Sequence, residues 1–140
     1  MTNILFLDID GVLNNTLSEA WFCPYNMQNL KTLIDCWPCK IVLSSDWRRS
    51  PKNLAVARSE LQHIGLRIFD VTRMSLHLDN RKYEIRDWLS LDKWDKALIL
   101  DDMEAEHVDP ELDNVLFYRT DYKFGLTEED VDKLCQQLKF

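Results

Sequence analysis

The chain has 140 residues, 46% apolar and 29% charged, with five tryptophans and six phenylalanines, the composition of one folded domain with a real core rather than a disordered segment. Its net charge of −7 excludes a broadly basic nucleic-acid surface, although the pairs Arg48-Arg49 and Arg81-Lys82 leave room for a local patch. With only three glycines, no glycine-rich phosphate loop can be drawn, and a P-loop kinase is excluded.

NILFLDI, residues 3–9, is an apolar run of strand length. It is too short for a secretory signal, has no basic lead and runs into Asp8, and nothing in the chain approaches the ~20 apolar residues of a membrane span. The expected compartment is therefore the cytoplasm, with no membrane partner. NMQNLKTLIDCW follows as a helix, with Met27, Leu30, Leu33, Ile34 and Trp37 on one face and Asn26 as N-cap. KIVLSS is a second strand. NLAVARSELQHIG is a second helix, with Leu54, Ala57, Leu61 and Ile64 in register and Gly65 closing it. LRIFDV is a third strand, and NRKYEIRDWLSL a helix presenting Ile85, Trp88 and Leu89. KALILDD and VLFYRT are two more strands. TEEDVDKLCQQL ends the chain as a helix, opened by Thr127 and Asp130 at capping-box spacing and buried through Val131, Leu134 and Leu138.

Continuously apolar strands separated by helices predict a single α/β domain over residues 1–140: a doubly wound, mainly parallel sheet with helices on both faces. Such sheets do their chemistry at the carboxyl ends of the strands. Here the first strand ends in Asp8 and Asp10, the second in Ser44, Ser45 and Asp46, and the fourth in Asp101 and Asp102. Residues i and i+2 of an extended strand lie about 6.5 Å apart on one side, so Asp8 and Asp10 are expected to face one site. Gathered carboxylates repel unless a cation neutralises them, and with no His or Cys among them they favour a hard, oxygen-seeking ion, Mg²⁺. A single aspartate in such a place would be read as a helix cap; four at two strand ends point to the metal. A carboxylate-held metal beside hydroxyls and cations suits phosphate chemistry, in which one Asp attacks phosphorus and another donates and later removes a proton.

FLDIDGVL resembles the first motif of the haloacid dehalogenase-like (HAD) phosphatase superfamily, Asp-x-Asp-Gly-Val/Thr-Leu. KIVLSS resembles its second motif with the match on Ser44, NRKYEI its third, and ALILDD its fourth, so the resemblance covers nearly the whole chain. LSS-x-WR, R-x-x-EI-x-x-WL, ILDD and a late TD…GLT look closest to small phosphatase domains associated with RNA repair proteins and phages. The resemblance implies a Rossmann-like core and a Mg²⁺-dependent phosphomonoester hydrolase. It implies Asp8 as nucleophile and metal ligand, Asp10 as general acid/base with its backbone carbonyl on the metal, and Ser44 on a phosphoryl oxygen. Arg81 or Lys82 supplies the cation, Arg81 being favoured by its spacing to Glu84-Ile85. Asp102 completes the metal shell, and Asp101 joins or orients it.

Only 33 residues lie between Asp10 and Ser44 and 36 between Ser44 and Arg81, too few for a folded cap. An open site suits a phosphate on a nucleic-acid end or a nucleotide. In SSDWRRSPK, Ser45, Trp47 and Arg48 are candidate substrate contacts, Trp47 to stack a base and the arginines to hold a backbone phosphate. The alternative is an amphipathic helix start in which Trp47 packs and the arginines are solvated. Trp21 and Phe22 line the entrance or join the core, and Asp121 supports the site or sits in a turn. His63, His77 and His107 lack metal or triad spacing. Cys36-Trp37-Pro38-Cys39 has redox-dithiol spacing, but it falls at a helix C-terminus, where the dipole does not favour a thiolate, so the cysteines are expected to be reduced and incidental. Rival functions are a receiver-like signalling domain, whose acidic pair would come early and whose phosphoacceptor late, and a non-catalytic binding module on the same fold.

Overall fold

The computed structural model of the chain describes residues 2–74 and 81–138. His77 and Asn80, the expected first residue of the third helix, lie outside them. The strands are β1 (Asn3–Leu7), β2 (Lys40–Leu43), β3 (Ile68–Val71), β4 (Lys96–Asp101) and β5 (Val115–Arg119). The helices are α1 (Pro24–Cys36), α2 (Pro51–His63), α3 (Arg81–Leu91), a single turn α4 (Ala105–Val108) that the sequence pattern did not suggest, and α5 (Glu128–Gln137).

All five strands run parallel in the order β3-β2-β1-β4-β5. The central strand β1 is buried on both faces, and its side chains alternate between two cores. Leu5 and Leu7 pack with Leu30 and Leu33 of α1, Ala57 and Leu61 of α2, and Val131 and Leu134 of α5. Ile4 and Phe6 pack with Ile85, Trp88 and Leu89 of α3 and Val108 of α4. Phe6 meets the edge of Trp88 with centroids 5.5 Å apart, a geometry the ring quadrupoles favour. The chain winds outward from β1 through β2 to β3, then returns to β4 on the other side of β1. Right-handed crossovers put α1 and α2 on one face and α3 and α4 on the other. The winding therefore reverses between β1 and β4, and the crevice this opens at their carboxyl ends is where an open α/β sheet binds ligands.

Local signals account for most helix ends. Thr127 and Asp130 form the expected capping box of α5. Ser50 caps α2 through the Asn53 N–H. Asn26, however, is not the N-cap of α1: the helix starts earlier, with Pro24 at its first position and Cys23 before it. Asn26 is buried in the first turn, where its Nδ2 donates to the carbonyls of Phe124 and Leu126, at 2.9 Å each, and its Oδ1 accepts from Asn15. The cysteines also differ from expectation. Cys36 is bonded to Cys135, because the last turn of α1 lies against α5 with the two Cα atoms 6.3 Å apart, well within disulfide reach. Cys23 and Cys39 are free, and burial pushes the Cys39 thiol up to about 12, so it has no thiolate character at neutral pH.

Candidate active site

Asp8 is the first residue past β1. Its N–H donates to the Leu100 carbonyl at 3.1 Å, which extends the β1–β4 pairing by one step and sets Asp8 beside the end of β4. Asp101 is the last residue of β4 and is fully buried; Asp102 follows it. Carboxylate oxygens of Asp8, Asp101 and Asp102 all lie within 4.8 Å of one another. Arg81, at the start of α3, reaches into this group from the other face. Its Nη1 is 3.2 Å from Asp8 Oδ1 and 2.7 Å from Asp101 Oδ2, and its Nη2 is 3.7 Å from Asp46 Oδ2.

The electrostatics follow from burial and crowding. Burial, then the charges of Asp101 and Asp102, hold the Asp8 carboxyl well above the ordinary carboxylate range, against the opposing pull of Arg81. Asp102 is raised by burial and by Asp101. For Arg81, burial works against the charge, but Asp8 and Asp101 outweigh it and keep the guanidinium firmly protonated. Three carboxylates in one small volume, one guanidinium to offset them and all-oxygen donors make a set that fits a hard divalent cation. A second observation agrees with it. Ser44, one step past β2, donates its N–H to Leu7 O at 3.1 Å, while its buried Oγ has no hydrogen-bond partner among the described residues. Leaving such a hydroxyl unpaired costs about 1–3 kcal/mol, which a ligand oxygen at the strand ends would recover.

The loop from Asp8 to Asn14 is packed tightly onto Asp102. Gly11 has φ +80°, and a Cβ placed there would lie 2.3 Å from Asp102 Oδ2. Thr120, just past β5, donates its hydroxyl to the Gly11 carbonyl at 2.7 Å, and Arg119 Nε donates to the Asp102 carbonyl at 2.9 Å. The strand alternation expected for Asp8 and Asp10 does not extend that far. β1 stops at Leu7, the buried Ile9 turns the chain, and Asp8 goes inward while Asp10 stays exposed. Asp10 Oδ1 accepts two hydrogen bonds, from Asn14 Nδ2 at 2.9 Å and Trp47 Nε1 at 3.2 Å.

A family model described as the HAD domain in Swiss Army Knife RNA repair proteins matches residues 4–131. The chain belongs to that family. No curated protein and no solved structure matches the chain. The five-stranded parallel sheet with its flanking helices is the Rossmann-like HAD core, and the described residues include no cap domain. No described helix of this HAD domain is long and apolar enough to cross a membrane.

The HAD domain brings together Asp8, Asp101, Asp102, Ser44 and Arg81, and sets Asp10 at their edge. Lys82 turns away, with its Nζ 5.3 Å from the Tyr83 ring centroid. Ser45 uses its Oγ to accept from the Trp47 N–H, capping the 3-10 turn Asp46–Arg49. Arg48 is neither solvated nor free to hold a substrate phosphate. Its side chain is 1% exposed, pairs with Glu84 at 2.6 Å, and donates to the carbonyls of Ser44, Ser45 and Thr72. It braces the Ser44 turn from inside. Trp47 packs edge-on to Phe22 and Trp21, with centroids at 5.2 and 6.0 Å. Trp21 is 72% exposed and so lies outside the core. Asp121 sits in a turn, its carboxylate accepting from the Lys123 N–H. Asn14 and Glu84 are the contributors that sequence reasoning missed. Asn14 carried a faint signal, four residues after Asp10 in a turn-rich stretch; Glu84 stood in the R-x-x-EI motif, but nothing in the sequence showed that it reaches Arg48 across 36 positions.

Proposed function

We propose that this HAD domain is a Mg²⁺-dependent phosphomonoester hydrolase that works through a covalent aspartyl-phosphate on Asp8, on a nucleic-acid end or a nucleotide. The observation that carries the proposal is the placement of Asp8: buried at the topological switch point, against Asp101 and Asp102, salt-bridged to Arg81 and next to the unpaired Ser44 hydroxyl.

In this reading an Asp8 oxygen attacks phosphorus and the bond to the leaving oxygen breaks. Asp10 gives its proton to that oxygen. Asp10 then takes a proton from water, which attacks the aspartyl-phosphate, releasing inorganic phosphate and restoring Asp8. Arg81 and Ser44 hold phosphoryl oxygens, and positioned charge of this kind does most of the work in phosphoryl transfer. Mg²⁺ would be held by Asp8, Asp102 and the Asp10 carbonyl, and when bound it supplies the positive charge that keeps Asp8 ionised and offsets the phosphate. Both oxygens of Asp101 are engaged, by Arg81 and by the Met103 N–H, so it orients the group. A site without a cap is open to a phosphate on a large molecule, and the family's RNA repair setting agrees with such a substrate.

The test is hydrolysis of 4-nitrophenyl phosphate and of 5′- and 3′-phosphorylated oligonucleotides, with Mg²⁺ and with chelator. Turnover is expected only with metal, and Asp8→Asn abolishes it while the variant remains folded. Retained turnover in Asp8→Asn refutes the covalent mechanism.

A further inference from the structure

A groove of about 270 Å³ is lined by Trp21, Trp47, Asn53 and Val56. Its floor is tied to the chemistry, because the indole N–H of Trp47 is the group that donates to Asp10 Oδ1. Phe22 and Trp21 hold the Trp47 ring by edge-to-face contacts, and Trp21 leaves most of its own surface to solvent. Contiguous exposed apolar surface marks an interaction site, and Trp21 and Val56 of this groove are both exposed.

We propose that this groove binds the nucleobase of the nucleoside that leaves when the phosphate is cleaved, an inference that rests on the phosphatase reading above. Position sets which part of the substrate lies there. Asp10 delivers its proton to the leaving oxygen, so whatever lies against Trp47, one hydrogen bond from Asp10, belongs to the leaving group and not to the phosphate. Chemistry sets its class. The lining is two indoles, an isopropyl group and one amide, with no charged side chain among them. Two aromatic walls select a flat apolar face, and the Asn53 amide offers a donor and an acceptor to a polar edge. A nucleobase has both. Stacking on indoles tolerates every base, so the groove favours the presence of a base over its identity. The same contact couples recognition to catalysis, since a base seated on Trp47 presses on the residue that orients Asp10.

The experiment compares kcat/KM of the whole chain on a phosphorylated oligonucleotide whose terminal nucleotide carries its base and on the same oligonucleotide with an abasic terminal nucleotide. The base-bearing end is expected to be preferred by roughly 5- to 150-fold, the range that stacking of one base supplies. Trp21→Ala should collapse the ratio toward one, mainly through KM; a variant that was merely misfolded would lower both substrates alike. Turnover without base preference, or an unchanged ratio in Trp21→Ala, overturns the groove assignment and leaves the phosphatase reading standing. A phosphotyrosine peptide cleaved better than either oligonucleotide reassigns the groove to a protein side chain and overturns it as well. No turnover of any of these by the wild type sinks both the phosphatase reading and the groove.

Discussion

Gly11→Ala places a methyl group where Asp102 now lies. The new Cβ would stand 2.3 Å from Asp102 Oδ2, 2.5 Å from its Cγ and 2.8 Å from its Cβ. A rotamer change moves the first two atoms but not the third, so the backbone of one loop must shift. Both loops are tethered, Gly11 by the Thr120 hydroxyl and Asp102 by Arg119. Two costs follow. The left-handed φ of +80° strains any residue with a Cβ by about 1–2 kcal/mol, and overpacking adds about 1–3 kcal/mol. A control separates them. Gly65 has φ +77° with nothing within 4 Å of its added Cβ, so Gly65→Ala reports the backbone cost alone. Denaturant unfolding should show a loss of about 1–2 kcal/mol for Gly65→Ala and about 2–5 kcal/mol for Gly11→Ala. Calorimetric titration should also show Mg²⁺ binding weakened roughly 10- to 100-fold in Gly11→Ala, the usual effect of displacing a group that positions a metal ligand, and unchanged in Gly65→Ala. Equal stability losses in the two variants, with wild-type Mg²⁺ affinity in both, would refute the role assigned to the Gly11–Asp102 contact.

Glu84→Ala takes from the buried Arg48 its nearer carboxylate, leaving Asp46 at 3.7 Å, and should cost about 3–5 kcal/mol in urea unfolding; a rise in substrate KM with no loss of stability would instead return Arg48 to the substrate. Metal-free Asp8 and Asp102 hold their protons above the ordinary carboxylate value of 3.8, so their contribution to stability is complete below that value and is lost as pH rises through their folded-state range. At neutral pH the bare cluster thus opposes folding; Mg²⁺, which at a hundredfold excess over its dissociation constant stabilises the folded state by about 2.7 kcal/mol, should raise the melting temperature more at pH 7 than at pH 5. Equal stabilisation at the two pH values in thermal scans counts against this. Cys135→Ser releases a cross-link between residues 99 apart in sequence and should lower stability by about 2–4 kcal/mol; an unfolding midpoint indifferent to reductant would contradict the Cys36–Cys135 bond.

What the amino-acid sequence determined by itself is whatever lies within a few residues. The apolar runs made five strands, the inner β1, β2 and β4 largely buried and the edge strands β3 and β5 only partly so. The Thr127–Asp130 cap closes on itself across three positions. Asp8, Asp101 and Asp102 were legible as a site because each ends an apolar run, and a parallel sheet aligns those ends. The tertiary structure decided the rest. The end of β1 at Leu7 separated a buried Asp8 from an exposed Asp10, where an ideal strand would have made them equivalent. The way α3 meets the sheet turned Arg81 onto Asp8 and its neighbour Lys82 onto Tyr83. Arg48 left the surface for Glu84, and Cys36, expected to be reduced, is bonded to Cys135. Each of these pairings depends on which crossover lays one helix or turn against another, and a contact between residues 36 or 99 positions apart leaves no mark in the local pattern of either.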